Sequence, residues 1–200
     1  GYTFNDNYES IKVIADSGGT DTINASSVTT SNIINLTPGT YSSINYYATD
    51  AEKIAAVSAG SASAEAFFTS ALASFDASAS AANDHYASYN RTALYRGQDN
   101  VGIAHNTWIE NAIGGSGNDT ITGNNKGNEI TGNGGDDTID GSGGVDHAIY
   151  AENYANYTVT NSGGTVTVAH TGGSANEGTD TLTNIEHIKF ADGYYDVAAS

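Results

Sequence analysis

A nine-residue repeat in the second half of the chain restricts the possible folds more than any other feature. From Gly114 the sequence divides into four consecutive units: GGSGNDTIT (114–122), GNNKGNEIT (123–131), GNGGDDTID (132–140) and GSGGVDHAI (141–149). Each unit begins with a stretch rich in glycine and polar residues and ends in three residues typical of a short strand. A flexible linker needs no aliphatic residue every nine positions, so this register predicts a stack of turns and short parallel strands.

The chemistry of the repeat predicts a bound calcium ion. The eighth position is expected to point inward and to stack into a ladder of Ile121, Ile130, Ile139 and Ala148. Glycine lets the backbone of the turn take positive φ and direct its carbonyls inward, and the sixth position supplies an anionic oxygen. Calcium takes six to eight oxygen ligands, which two stacked turns provide and one turn does not. The repeat therefore predicts a calcium-binding parallel β-roll.

Two candidate sites result when each unit is paired with the unit two steps later. In the first site every position fits the pattern, because Gly115, Gly117 and Asp119 face Gly132, Gly134 and Asp137. The second site pairs Asn124, Lys126 and Asn128 with Gly141, Gly143 and Asp146. In that site Asn128 offers a neutral oxygen and Lys126 brings a cation close. We therefore expect the second site to bind calcium weakly or not at all.

The overall charge of the chain favours a cation as partner. Six Lys and Arg residues stand against 23 Asp and Glu residues, which gives a formal net charge of −17. Such a chain repels itself unless a cation neutralises it, and it is not expected to bind nucleic acid or to insert into a membrane. Cysteine is absent, so bound metal is the expected substitute for disulfides. A merely solvated acidic surface is the alternative, but the carboxylates recur at one position of the repeat.

The rest of the chain divides into three regions. Residues 1–47 have the β-branched alternation of short strands, and residues 150–200 predict a β cap. Residues 48–98 are rich in alanine and serine and predict a helical insertion, with a capping box at Thr49 and Glu52, a stop at Gly60, a second helix over 62–80 and a third after Asn83. The predicted fold class is mainly β, a parallel β-roll or β-sandwich with an α-helical insertion. Whether Tyr150, Tyr154 and Tyr157 line a pocket or close the core stays open, with closure favoured.

Several segments resemble a known family. TWIENAIGGSGND (107–119) is similar to the start of the β-roll in the C-terminal domain of serralysin-type metalloproteases, and DSGGTDTIN (16–24), INL (34–36) and NVGIAH (100–105) are similar to the segments that precede it. Residues 178–193 resemble the cap of many RTX proteins, a broader class of secreted repeat proteins. The resemblance implies one RTX-type domain over 1–200, with the roll at 114–149, the cap at 150–200 and the insertion at 48–98. It also implies an extracellular location, in some cases attached to the cell surface through the parent protein.

The resemblance implies further calcium ligands and no catalysis. By it, Asp16, Gly18 and Asp21 would hold one ion, and Gly19, Asp21 and Glu110, with a backbone oxygen near Trp108, would hold a second. The zinc-binding helix of the proteases has no counterpart, since no two of the five histidines are spaced i, i+4: His85, His105, His147, His170 and His187. The chain is therefore expected not to be an enzyme.

Two functions remain open on the sequence. The insertion contains the two arginines of the chain, Arg91 and Arg96, next to Tyr86, Tyr89 and Tyr95. Arginine suits carboxylates and tyrosine adds rigid contact area, although the arginines can equally serve to pair the insertion with the acidic roll. The first function is a calcium-dependent module of a secreted bacterial RTX adhesin that binds an extracellular peptide or a cell-surface protein, among neighbouring domains of a larger protein. The alternative is the non-catalytic C-terminal secretion and folding domain of a serralysin-type zinc metalloprotease.

Overall fold

The computed structural model describes residues 1–5, 12–15, 18–45, 50–67, 69–70 and 101–197. Within these ranges the chain is mainly β, as the sequence predicts. The strands in chain order are β1 (Tyr2–Asn5), β2 (Lys12–Ile14), β3 (Thr22–Ser27), β4 (Ile33–Asn35), β5 (Tyr41–Ser42), β6 (Val101–Ile103), β7 (Asn111–Ile113), β8 (Thr120–Thr122), β9 (Glu129–Thr131), β10 (Thr138–Asp140), β11 (His147–Ile149), β12 (Tyr157–Ser162), β13 (Thr165–His170), β14 (Thr179–Thr183), β15 (His187–Phe190) and β16 (Gly193–Asp196).

The four repeat units form a parallel β-roll. Strands β8 to β11 occupy the last three positions of each unit. Strand β8 pairs in parallel with β10, and β9 pairs in parallel with β11. Successive strands therefore alternate between two sheets, and one full coil of the roll takes two units.

Segments outside the repeat extend both sheets of the roll. The larger sheet has the order β1-β3-β7-β9-β11-β15-β16, and the second has the order β12-β13-β14-β10-β8-β4. Strands β14 and β15 continue the parallel pairing of β10 and β11, whereas β12, β13 and β16 add antiparallel pairs that end the sheets. A third sheet has the order β2-β6-β5. The roll is therefore longer than its repeat.

The aliphatic ladder lies between the two sheets of the roll. Ile121 and Ile130 are 0 % exposed, and Ile139 and Ala148 are 1 % exposed, which confirms the inward direction of the eighth position. In one sheet the ladder continues through Ile34, Ile121, Ile139 and Leu182, which lie side by side in register. Each buried aliphatic side chain of this size stabilises the fold by about 1.5–3 kcal/mol.

The chain forms two compact units, one of residues 1–46 with 99–200 and one of residues 47–98. In the second unit, helix α1 covers Asp50–Ser58, and Gly60 follows it with φ of +78°. Residues 62–67 and 69–70 are also helical. The rest of the predicted second helix and the whole third helix lie outside the described residues. None of the helices in the described ranges is long and apolar enough to cross a membrane.

The tyrosines of the cap divide between two roles. Tyr150 and Tyr157 are each 6 % exposed and belong to the core, where both pack against Phe190. Tyr154, which begins a short 3₁₀ helix (Tyr154–Asn156), is 45 % exposed and lines a cavity with Tyr195. The prediction of core closure is therefore right for two of the three residues.

Candidate metal centre

A ladder of side chains runs along one edge of the stacked turns, at the start of strands β4, β8, β10 and β14. The backbone N–H of Asn32 donates to Oδ1 of Asp119 (2.6 Å), and the N–H of Asp119 donates to Oδ1 of Asp137 (2.8 Å). The N–H of Asp137 in turn donates to Oδ1 of Asp180 (2.9 Å). Each carboxylate therefore holds the next turn of the roll in register.

A second ladder runs along the larger sheet. The N–H of Asp21 donates to Oε2 of Glu110 (3.0 Å), and Nδ2 of Asn128 donates to the carbonyl of Glu110 (2.9 Å). The N–H of Asn128 donates to Oδ1 of Asp146 (2.7 Å), whose own N–H donates to Oε2 of Glu186 (2.8 Å). The side chains at the sixth position of the repeat therefore belong to longer ladders that include acidic residues outside the repeat.

The first predicted site is built from two turns in direct contact. The N–H of Gly134 donates to the carbonyl of Gly115 (3.1 Å), and the N–H of Gly115 donates to Oδ2 of Asp119 (2.7 Å). Asp119 and Asp137 are 2 % and 1 % exposed. Within the described part of the chain, Oδ2 of Asp137 is buried and accepts no hydrogen bond. One carboxylate oxygen of this site therefore lacks a partner.

Two glycines of this site are required by the close approach of the turns. A Cβ built on Gly132 meets the carboxylate of Asp137, with Cγ at 2.9 Å. Gly135 has φ of +107°, and a Cβ there lies 2.8 Å from the carbonyl carbon and oxygen of Gly117. Any larger residue at either position forces the turns apart, because packed interiors do not absorb an extra methyl group without strain.

The second predicted site differs from the first because Asn128 occupies the position that Asp119 has in the first site, and both polar atoms of its side chain form hydrogen bonds. Oδ1 of Asn128 accepts from the N–H of Asn124 (2.8 Å), while its Nδ2 donates to Glu110. The carbonyl of Asn124 accepts from the N–H of Gly143 (3.2 Å), and Oδ2 of Asp146 is buried without a partner among the described residues. Gly141 lies against Asp146, since a Cβ built there comes within 2.7 Å of Oδ2.

Lys126 directs its charge to an aromatic ring. Its Nζ lies 4.9 Å from the centroid of the Trp108 ring, and the Trp108 side chain is 37 % exposed. A cation above an aromatic face is attracted by the ring quadrupole. The expected effect of Lys126 on the second site stays a prediction.

Burial raises the pKa values of the ladder carboxylates. The pKa of Asp137 rises to about 8 through burial and then through the charges of Asp180, Asp119 and Asp136, against one hydrogen bond that lowers it. Burial likewise raises the pKa of Asp180 to about 7 and those of Asp119 and Asp146 to about 6. Each charge that acts on these four pKa values within the described part of the chain is negative. A divalent cation between the turns would remove this penalty.

The donor set fits calcium. In the first site it consists of carboxylate and backbone carbonyl oxygens only, and a carbonyl that accepts one hydrogen bond keeps a second lone pair. The described residues hold no group of three or more His, Cys, Asp or Glu side chains arranged for a metal ion, so a centre here depends on the backbone carbonyls of the turns. The two buried carboxylate oxygens without donors, on Asp137 and Asp146, are the observation that favours such a centre.

The ligands implied by the family resemblance are brought together in part. Asp21 and Glu110 are in contact, and the N-terminal amino group of Gly1 lies 3.4 Å from Oδ1 of Asp21. Gly18 and Gly19 have φ of +133° and +120°. Asp16 lies outside the described residues, as do all five predicted ligand-binding residues of the insertion: Tyr86, Tyr89, Arg91, Tyr95 and Arg96.

The ladders contain three residues that repeat analysis missed: Asn32, Asp180 and Glu186. A signal for Asp180 was present, because TDTLT (179–183) has the same order of acidic, threonine and aliphatic residues as NDTIT (118–122). For Asn32 the nine-residue register offers no signal, since no glycine turn of the repeat type precedes it. These residues show that the ladders continue beyond the repeat.

Comparison with known proteins places the chain in a family. The search of curated proteins found no match. The family model described as Peptidase M10 serralysin C terminal matches residues 95–194, which is half of the chain and includes all four repeat units. The matched domain is the non-catalytic, RTX-type β-roll of these peptidases. The chain therefore belongs to the family of serralysin C-terminal domains of the M10 peptidases.

Proposed function

We propose that this chain is a calcium-dependent ligand-binding module of a secreted bacterial RTX adhesin, in which the roll depends on calcium and the insertion contacts the ligand. The observation that supports the calcium dependence is the buried acidic ladder, in which Asp137 keeps one carboxylate oxygen without a donor and has only negative charges acting on it. Calcium would be held by Gly115, Gly117, Asp119, Gly132, Gly134 and Asp137, and a weaker site would involve Asn128, Gly141, Gly143 and Asp146.

The role of calcium would be structural. Bound between two turns, it supplies positive charge to carboxylates that otherwise repel one another. The glycines allow the turns to approach one another. The carboxylates fix the stacking through Oδ1, which accepts the backbone N–H of a neighbouring turn. Folding and calcium binding are then one process, because the separate turns cannot offset the entropy of ordering themselves.

The ligand-binding part of the proposal is supported by the separate compactness of residues 47–98 within a chain whose remaining residues build the roll. A roll needs no second unit to close its core. This unit contains both arginines of a chain with a net charge of −17. A planar guanidinium beside tyrosines suits a peptide carboxylate, so the proposed ligand is an extracellular peptide or a cell-surface protein.

A peptide array with free C-termini, probed with and without calcium, tests this function. We expect capture only in calcium, and at least a tenfold loss of affinity in Arg91→Ala and Arg96→Ala, with unchanged calcium-dependent melting. Arg91→Lys keeps the charge but not the planar fork and should lose part of the affinity. Lys53→Ala removes a cation from the same unit and serves as the matched control. Capture that is independent of both arginines would overturn the assignment of the ligand site.

The second candidate, the non-catalytic secretion and folding domain of a serralysin-type zinc metalloprotease, is supported by the family match over residues 95–194. The two candidates differ in what adjoins the chain and in what it captures. Export of a reporter fused to this chain, together with no capture of any peptide, would favour the protease domain. A zinc peptidase domain encoded beside it would decide for that candidate.

A further inference from the structure

Four ionisable side chains form a row across the outer face of the larger sheet. Glu129 lies opposite His147 in the pairing of β9 with β11, and His147 lies opposite His187 in the pairing of β11 with β15. His187 lies opposite Asp196 in the pairing of β15 with β16. Ala148, which follows His147, is buried in the core, so the alternation along β11 directs the histidine away from the core. The row combines two imidazoles with a carboxylate at each end.

The two imidazole rings are close, and one has a fixed orientation. Their centroids lie 5.1 Å apart with an interplanar angle of 80°. Nδ1 of His187 lies 2.6 Å from Oδ1 of Asp196, and the two side chains are 35 % and 63 % exposed. A carboxylate that accepts the Nδ1 proton leaves the lone pair of Nε2 free to bind a metal, which is the usual arrangement for metal-binding histidines.

We propose that His147 and His187 form a binding site for a borderline divalent metal ion, of the class of Zn²⁺, Ni²⁺ and Cu²⁺. Two imidazoles that bind one tetrahedral zinc through nitrogens at about 2 Å have centroids roughly 5 Å apart, which agrees with the observed separation. The site provides two nitrogens, with water as the further ligands. Its acidic ends and the net charge of −17 favour a cation.

This site is chemically distinct from the calcium turns, because calcium takes oxygen ligands and imidazole suits the borderline metals. The Nζ of Lys189 lies 5.9 Å from the centroid of Tyr194, and the Tyr194 ring in turn lies 5.9 Å from that of His147. The competing explanation is ordinary edge-to-face packing of the rings. The two explanations can be distinguished, because only metal binding requires one imidazole nitrogen from each of His147 and His187.

Titration calorimetry of the calcium-saturated protein with ZnCl₂ tests the proposal. We expect one zinc ion per chain, and at least a tenfold loss of zinc affinity in His147→Ala and in His187→Ala. His105→Ala, which removes an exposed histidine in the turn that follows β6, is the matched control and should leave zinc affinity unchanged. Asp196→Asn should weaken zinc binding less than loss of either histidine. Calcium-dependent melting of each variant verifies the fold and is independent of zinc.

A second measurement identifies the atoms involved. Addition of Ni²⁺ should broaden the imidazole proton signals of His147 and His187 in NMR spectra and leave those of His105 and His170 sharp. Zinc binding that persists in the His147→Ala/His187→Ala double variant, or nickel broadening that spares both rings, overturns the site. Neither result bears on calcium binding or on peptide capture, so the adhesin proposal stands or fails separately.

Discussion

The backbone N–H of Asp119 donates a 2.8 Å hydrogen bond to Oδ1 of Asp137, while Oδ2 of the same carboxylate is buried and accepts none from the described residues. One oxygen therefore aligns two turns of the roll, and the other has no donor. The same side chain stabilises the stack through its geometry and destabilises it through its charge. A cation bound at the second oxygen would offset the effect of the charge.

Removal of calcium should unfold or greatly destabilise the roll, because the ladder carboxylates then repel one another and the glycine turns remain costly to order. Circular dichroism in excess EDTA, followed by thermal melting with added CaCl₂, measures this. MgCl₂ at the same concentration is the control for ionic strength. An unchanged β signal in excess EDTA would rule out the coupling of calcium to folding.

Substitutions in the two sites should differ in how much they reduce the rise in Tm that calcium causes. Asp119→Ala and Asp137→Ala remove charged oxygens and should abolish most of the difference in Tm between calcium and EDTA. Asn128→Ala loses two hydrogen bonds, to Asn124 and to Glu110, and should lower Tm by a similar amount in both conditions. Equal losses of the calcium-dependent difference in all three variants would contradict the pairing of the turns.

The effect of Asp137→Asn on the free energy of unfolding should change sign when calcium is added. In EDTA above pH 8, where the wild-type carboxylate is ionised, the variant should be at least as stable as the wild type, because it removes a charge that faces Asp119, Asp136 and Asp180. In calcium it should be less stable. Urea unfolding in the two conditions measures both differences, and a loss of stability in EDTA would refute the electrostatic explanation.

The calcium-free protein should be more stable at mildly acidic than at alkaline pH. The folded-state pKa values of Asp137, Asp180, Asp119 and Asp146 are about 8, 7, 6 and 6, against an ordinary pKa of 3.8 for an aspartate. The folded state thus binds more protons than the unfolded state between about pH 4 and 8, so this contribution is complete below pH 4 and is lost as the pH rises to 8.

In strong acid the stability should fall again, because another carboxylate is protonated there. Hydrogen bonds from the backbone of Ala175 and Ser174 and from His170 lower the pKa of Glu152 to about 2, so its contribution to stability is lost as the pH falls from about 4.5 to 2. We therefore expect maximal stability near pH 4 in EDTA. Saturating calcium should shift the maximum upward, because calcium binds the ionised carboxylates. Melting curves from pH 3 to 9 measure both; a flat profile in EDTA would contradict the prediction.

Gly132→Ala should cost about 1–3 kcal/mol and weaken calcium binding, because the new methyl group overlaps the carboxylate of Asp137. Gly172→Ala is the matched control, since Gly172 lies outside both sites and the nearest atom to a Cβ there is Oδ1 of Asn156 at 3.4 Å. The free energy of unfolding in calcium compares the two. Equal costs would show that the close approach at Gly132 does not limit the packing of the turn.

The repeat alone was enough to predict the local structure of the roll. A nine-residue period places a turn, a strand and an inward aliphatic residue in each unit, and these features depend on neighbouring positions. The burial of Ile121 and Ile130 and the pairing of β8 with β10 follow from it. The helix that ends before Gly60 was likewise predicted from local capping residues.

Only the tertiary structure showed where the ladders end and what lies on the outer face of the sheet. Asp180 is 43 residues from Asp137, and no repeat connects the two segments. His147, His187 and Asp196 come from three strands, two of them outside the repeat. Local periodicity fixes which way a side chain points, but its neighbours depend on strand pairings between distant segments. Those pairings form because the whole sheet buries its aliphatic face. This burial depends on all strands together, so it cannot be predicted from any single segment of the sequence.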